Sequence, residues 1–158
     1  MAQVTFRAAT PRDDTLVVQH FTNMMLAMKI PTKDYAPDKE QQCMVFIQET
    51  RAHYQLNTIV AEVDGTPIGS ASMHLLHGLY PRVFTAIRKT GYIWGVWVDS
   101  EHRKKGVAAE MMTKAVEYLE SIGCTRVVLH ASDQGKNMYK KVGFSVTHDE
   151  MDLTISKL

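Results

Sequence analysis

The sequence predicts a mixed α/β fold, and three observations carry that expectation. Short β-branched runs alternate along the 158 residues with helical stripes. Asp64-Gly65 falls between two strand-like runs, and this residue pair favours a tight hairpin turn. Residues 107–122 carry an apolar stripe of helical period. The length suits one domain, 1–158, large enough to bury about two-thirds of its unfolded surface. Hydrophobic residues make up 45% and charged residues 22%, which excludes a disordered or fibrous chain. With 18 Lys and Arg against 17 Asp and Glu, the net charge of +1 supplies no global field for nucleic acid or an anionic membrane. Any anion must be bound by a local cluster. Cys43 and Cys124 are far apart and have no Cys or His at metal-ligand spacing, so a reduced, cytoplasmic protein without a metal is expected. Residues 1–9 show no basic stretch followed by a long apolar run and no 18-residue apolar run occurs, so neither secretion nor a membrane span is expected.

Gln3 to Ala8 alternates as a short first strand. Thr10-Pro11 then opens a helix whose apolar face is Val17, Phe21, Met24, Met25 and Met28. Pro31 stops it, and Asp34 to Pro37 leads into a second helix carrying Cys43, Phe46 and Ile47. Residues 57–63 and 68–76 read as an antiparallel hairpin around Asp64-Gly65. Residues 77–90 have no clean period and are long for an idle connector, which marks a functional loop. Tyr92 to Val98 is a strand, and Val107 to Ile122 is the clearest helix, ended by Gly123. A strand over 125–131, a short helix over 133–141 stopped by Gly143, and strands over 144–147 and 151–155 complete the domain.

The segment joining strand 92–98 to helix 107–122 gathers His102, Arg103, Lys104 and Lys105. A helix start offers unpaired N–H groups and the positive end of its dipole; Gly106 lets a phosphate approach the backbone and small Ala108 avoids a clash. A pyrophosphate suits that description, although a solvated basic loop fits the run alone equally well. The chain holds neither Gly-x-x-x-x-Gly-Lys-Ser/Thr nor Gly-x-Gly-x-x-Gly, which excludes the common NTPase and dinucleotide loops.

Arg103-Lys104-Lys105-Gly106-Val107-Ala108 resembles the Arg/Gln-x-x-Gly-x-Gly/Ala signature of the GNAT superfamily of N-acetyltransferases. Met138-Tyr139-Lys140-Lys141-Val142-Gly143-Phe144 resembles that family's Leu-Tyr-x-x-x-Gly-Phe motif, and Glu150 to Leu153 its closing Glu-Met-x-Leu strand. The resemblance spans the chain in element order. It implies a mostly antiparallel central sheet, helices on both faces, and a splay between two parallel strands at 92–98 and 125–131 where acetyl-CoA enters. By the same resemblance, backbone groups of Val96 and Val98 pair with the pantetheine arm, and Val98 opens the splay. Backbone N–H groups of Lys104, Gly106, Val107 and Ala108 hold the pyrophosphate, with the Arg103 and Lys104 side chains near the phosphates. Tyr139 lies beside the thioester sulfur. Many relatives have Asn and Ala where this chain has Ser132 and Gly135, and the Ser132 hydroxyl still offers a hydrogen bond to the cofactor arm.

Acetyl transfer to an amine needs a neutral nucleophile and a stabilised thiolate. The resemblance makes Tyr139 the catalytic donor to sulfur. Tyr92 to Val98 contains no carboxylate, where some relatives keep a catalytic one. His74, His130, Glu150 and Asp99 are the candidate bases, and the sequence does not rank them. Trp94 and Trp97 are expected on opposite sheet faces. Core burial is the expected role of Met24, Met25 and Met28, and the two cysteines carry no chemistry. The acceptor is an amine on a small molecule or peptide, shaped by 29–37 and 77–90. A non-catalytic acyl-CoA-binding sensor or assembly module is the rival reading, and nucleic-acid binding through His102 to Lys105 a weaker third. Dimerisation is an expectation of the resemblance alone.

Overall fold

The computed structural model describes residues 3–76 and 89–147. Among the described residues five strands form one sheet in sequential order: β1 (Val4–Ala8), β2 (Asn57–Val63), β3 (Thr66–Leu76), β4 (Thr90–Val98) and β5 (Arg126–Leu129). The first four pair antiparallel, and β4 with β5 runs parallel. The β2–β3 turn is the one that Asp-Gly specifies, with φ of 50° at Asp64 and 75° at Gly65. Helix α3 (Val107–Ser121) covers one face of the sheet; α1 (Asp14–Ala27) and α2 (Lys39–Tyr54) cover the other, and α4 (Lys136–Val142) packs on α3.

The alternation in β3 separates the faces. Ala71 and Met73 join Ile93, Met111, Met112, Ala115 and Leu119 in the larger core under α3. Ser70, Ser72 and His74 point the other way and are buried, so each requires a partner. His20 of α1 meets Ser70 at 2.9 Å, Thr58 of β2 meets Ser72 at 2.8 Å, and Trp94 Nε1 donates to His74 Nδ1 at 3.1 Å.

One irregularity in β4 shapes the site. Ser70 faces Trp97 and Ser72 faces Trp94, so Ala71 alone stands opposite Gly95 and Val96. Gly95 has φ of +62°, the glycine-led bulge that inserts one residue and reverses the alternation beyond it. Trp94 and Trp97 therefore share the α1 and α2 face, against the opposite faces that a regular strand requires.

Other expectations are corrected at element ends. Parallel pairing covers only Thr90 to Ile93 against Arg126 to Leu129, so the splay opens after Ile93 and not at Val98. Residues 144–147 form no strand, because no described strand offers them a ladder. Lys89 and Thr90, assigned by sequence to the long loop, lead into and begin β4, while 77–88 and the strand expected at 151–155 lie outside the described residues. Met24 and Met25 are only half-buried and Met28 is 49% exposed. The sheet covers α1 at Val17, Val18 and His20, and the second half of the helix reaches past it.

The entry to α1 is tied down by charge. Asp13 accepts from the Thr10 N–H at 2.7 Å and from both ends of the Arg7 guanidinium, which also donates to Glu62. The guanidinium holds the Asp13 carboxyl well below the usual carboxylate range. A depressed value stabilises the fold above the unfolded-state pKa and is lost as pH falls towards the folded one. Asp13→Asn should therefore lower stability by about 1 kcal/mol at pH 7, Arg7 being partly in solvent. Denaturant unfolding should show the difference from wild type shrinking below about pH 5.

Candidate active site

Beyond the last rung at Ile93 and Leu129, β4 runs on through Trp94 to Val98 without β5 beside it. The gap is a fork between two parallel strands, with Val96 and Val98 on its longer arm. At the end of that arm the chain makes a 3-10 turn, Ser100–His102, and enters α3 through a tight loop. Lys104 and Gly106 both take left-handed conformations, with φ of 60° and 86°. Alternating handedness of this kind turns successive N–H groups inward, as an anion-binding nest does. The N–H groups of Lys104, Gly106, Val107 and Ala108 find no acceptor among the described residues. A Cβ built on Gly106 meets nothing within 4 Å. Val107 is buried in the α3 core and anchors the loop's far end.

Arg103, expected to supply charge near the phosphates, is held at the start of this loop. Its guanidinium lies 4.6 Å from the Trp97 ring centre, and Nε donates to the Val98 carbonyl at 2.8 Å. It clamps the loop to the end of β4. Lys104 and Lys105 remain exposed.

The other arm of the fork leads to α4. The Gly135 N–H donates to the Ser132 carbonyl at 3.0 Å and to its hydroxyl at 3.3 Å. A Cβ on Gly135 would stand 2.7 Å from Cε2 of Tyr139, so glycine makes room for that ring. Tyr139 is half-buried and packs edge-on against Phe144 at 6.1 Å. Burial raises its phenol pKa, and the neighbourhood of Tyr92 adds to the shift, so the hydroxyl keeps its proton and remains a donor.

Three of the four candidate bases fall among the described residues and differ in their surroundings. An indole N–H only donates, so the bond from Trp94 fixes His74 Nδ1 as acceptor and puts the ring hydrogen on Nε2. Burial lowers the His74 pKa and favours the same neutral form. Asp99 accepts from Trp97 Nε1 at 2.8 Å, at the pyrophosphate end of β4. His130 stands just past β5, with Nδ1 2.9 Å from the Tyr92 hydroxyl. Glu150 lies outside the described residues. Sequence reasoning missed Tyr92, whose role needs the β4–β5 register, and His20, whose pKa burial lowers while Asp99 opposes the shift.

On the α1 and α2 face, Trp94 packs edge-on against Phe21 at 5.5 Å and Phe46 at 5.3 Å. Phe46 is 45% exposed and also borders His74. Further out, Thr22, Leu26, Thr32, Tyr35, Lys39 and Glu40 line a cavity of 410 Å³ that contains the expected 29–37 segment in part. The buried Tyr35 hydroxyl has no partner among the described residues. Burial raises the thiol pKa of Cys43 and Cys124, so neither is an activated nucleophile.

The profile of the Acetyltransferase (GNAT) family matches residues 24–144, most of the chain. This chain belongs to that family. A predicted acetyltransferase of Clostridium acetobutylicum, solved with acetyl-CoA, superposes with a TM-score of 0.85 at 22% identity over 97% of each chain. A GCN5-related N-acetyltransferase of Ralstonia eutropha JMP134 gives 0.85 at 23% identity, over 97% of this chain and 99% of the other. A glucosamine 6-phosphate N-acetyltransferase of Trypanosoma brucei brucei is 30% identical over 91 residues. That match takes in 58% of this chain and 59% of the relative, less than two thirds of its length. The co-substrate that membership of this family implies is acetyl-CoA, which would supply an acetyl group activated as a thioester. The open space above Gly106 and the unpaired N–H groups around it fit a pyrophosphate.

Proposed function

We propose that the chain transfers the acetyl group of acetyl-CoA to a primary amine of a small molecule or peptide by direct attack. The observation that carries the reading is the continuity of the β4–β5 fork with the left-handed loop at Lys104 to Gly106, with Tyr139 at the fork's other wall. The N–H groups of Lys104, Gly106, Val107 and Ala108 hold the pyrophosphate, and the positive end of α3 adds to their field. Val96 and Val98 present backbone to the pantetheine arm, and Ser132 and Gly135 border it opposite. Arg103 acts by fixing the loop on Trp97 and Val98. The Tyr139 hydroxyl donates to sulfur as charge develops there. The acceptor enters from the α1 and α2 face, across Phe46 and Trp94, where the Tyr35 hydroxyl fits a polar group of the ligand.

Glucosamine 6-phosphate, the substrate in the trypanosome relative's name, is the first acceptor to test, with 2-phenylethylamine and a lysine-bearing peptide beside it. Release of CoA thiol that depends on added amine, with the acetylated amine found by mass spectrometry, is the expected result. Acetyl-CoA binding with no release for any amine or for water overturns catalysis and leaves a binding module.

A further inference from the structure

The fork holds a pair of side chains joined across its base. Tyr92 stands on β4 at the rung before the last, opposite Val128 of β5 and opposite His74 of β3. Directly opposed residues share a face, so Tyr92 lies on the α1 and α2 side with His74, whose ring centre is 5.7 Å away. Its hydroxyl reaches across the fork to His130 Nδ1 at 2.9 Å. It is also near enough to Tyr139 for charge on Tyr92 to oppose charge there. Tyr92 thus borders both the acceptor face and the wall that carries the donor to sulfur.

Other groups on this face are already engaged away from the base of the fork. His74 Nδ1 takes the Trp94 N–H, His20 Nδ1 is bonded to Ser70 within the core, and Asp99 takes the Trp97 N–H near the loop. β4 itself has no carboxylate. Yet an attacking amine must lose a proton, and the nitrogen becomes strongly acidic once its lone pair is shared with carbon.

Resting on the acetyl-transfer reading above, we propose that Tyr92 and His130 form the proton relay that deprotonates the acceptor amine, with Tyr92 as the catalytic residue and His130 as the residue that acts through it. As the lone pair of the neutral amine forms the C–N bond, the nitrogen's proton passes to the Tyr92 oxygen and the Tyr92 proton passes to His130 Nδ1. Tyr92 ends unchanged and His130 ends as imidazolium, exposed at the surface where solvent takes the proton. The departing sulfur keeps the electron pair of the broken C–S bond. A relay through a phenol avoids forming a free phenolate, since the two transfers are concerted. The titratable groups facing the pair among the described residues are His74 from β3 and Tyr139 from α4. His74 is held neutral and Tyr139 protonated, so neither adds charge to the relay at neutral pH.

His130 accepts only when Nδ1 is unprotonated, so the relay fails once that nitrogen carries a proton. The test compares wild type with His130→Asn, which keeps a hydrogen-bond acceptor for Tyr92 but takes no proton, and with Tyr92→Phe. CoA thiol release from acetyl-CoA is followed with glucosamine 6-phosphate, and with water as nucleophile if that amine is not used. Both variants should lose roughly 100-fold in kcat at pH 8. The ratio of wild-type to His130→Asn kcat/KM should rise with pH and then level, the amine's own titration cancelling in the ratio. Calorimetry should give all three proteins the same acetyl-CoA Kd. In the free protein, nitrogen NMR should show neutral His130 as the Nε2–H tautomer, with Nδ1 accepting from Tyr92. Unchanged kcat in His130→Asn, a pH-independent ratio, or an Nδ1–H tautomer overturns the relay while leaving acetyl transfer intact. Wild type that does not bind acetyl-CoA overturns the transferase reading and the relay with it.

Discussion

Gly106→Trp is expected to abolish acetyl-CoA binding in a protein that stays folded. Gly106 stands at φ of +86° immediately before α3, with no atom within 4 Å of the position its Cβ would take. A Cβ there begins in open space beside the loop's N–H groups, which a bulky ring on it would obstruct. The left-handed conformation costs an L residue about 1 to 2 kcal/mol, which a domain of ordinary stability, about 5 to 15 kcal/mol, survives. Calorimetric titration should show the acetyl-CoA Kd raised by at least about 100-fold, roughly 2.7 kcal/mol. Gly106→Ala separates strain from obstruction, since it carries the same backbone cost and only a methyl group. It should destabilise the fold about as much as Trp while keeping most of the affinity. A folded Trp variant with wild-type Kd would move the pyrophosphate away from this loop.

That loop was legible in the sequence because its physics is local. A run of cations, a glycine and the start of an amphipathic helix lie within six residues, 102–107, and the same stretch carries the family resemblance. The hairpin at Asp64-Gly65 and the buried stripe Met111, Met112, Ala115 and Leu119 were legible for the same reason. The fork was readable only in outline. Where it opens depends on the length of β5, which stops pairing at Leu129, and on a bulge at Gly95 that places Trp94 and Trp97 on one face. A period-2 reading of β4 has no means of detecting an inserted residue. The base candidates failed to rank because a histidine's role is decided by what its other nitrogen touches, and His74–Trp94 and His130–Tyr92 are pairs set by register. The resemblance implies an Arg103 side chain near the phosphates, and its position over Trp97 depends on the turn that Ser100 to His102 makes, which no local pattern reveals.

Tyr139→Phe is expected to lower kcat by about 100-fold and leave the acetyl-CoA Kd within about twofold, because the hydroxyl and the ring do separate work. The ring is held by Phe144 and by the space Gly135 leaves, contacts that phenylalanine keeps. The hydroxyl contributes only where charge develops, at the departing sulfur. Because burial raises the Tyr139 pKa, its proton is retained to higher pH than an ordinary phenol's. Its donor role is therefore present at neutral pH and lost only on the alkaline side, so the wild-type rate should not fall through loss of this proton near neutral pH. Gly135→Ala gives an independent check. Its methyl group would stand 2.7 Å from Cε2 of Tyr139, so the ring must shift and carry its hydroxyl with it. That variant should lose kcat with the hydroxyl still present. If both changes act on the same hydrogen bond, the double variant should be no slower than Tyr139→Phe alone. Additive losses would mean that Gly135 serves the cofactor arm directly, and wild-type turnover by Tyr139→Phe would leave sulfur protonation to solvent.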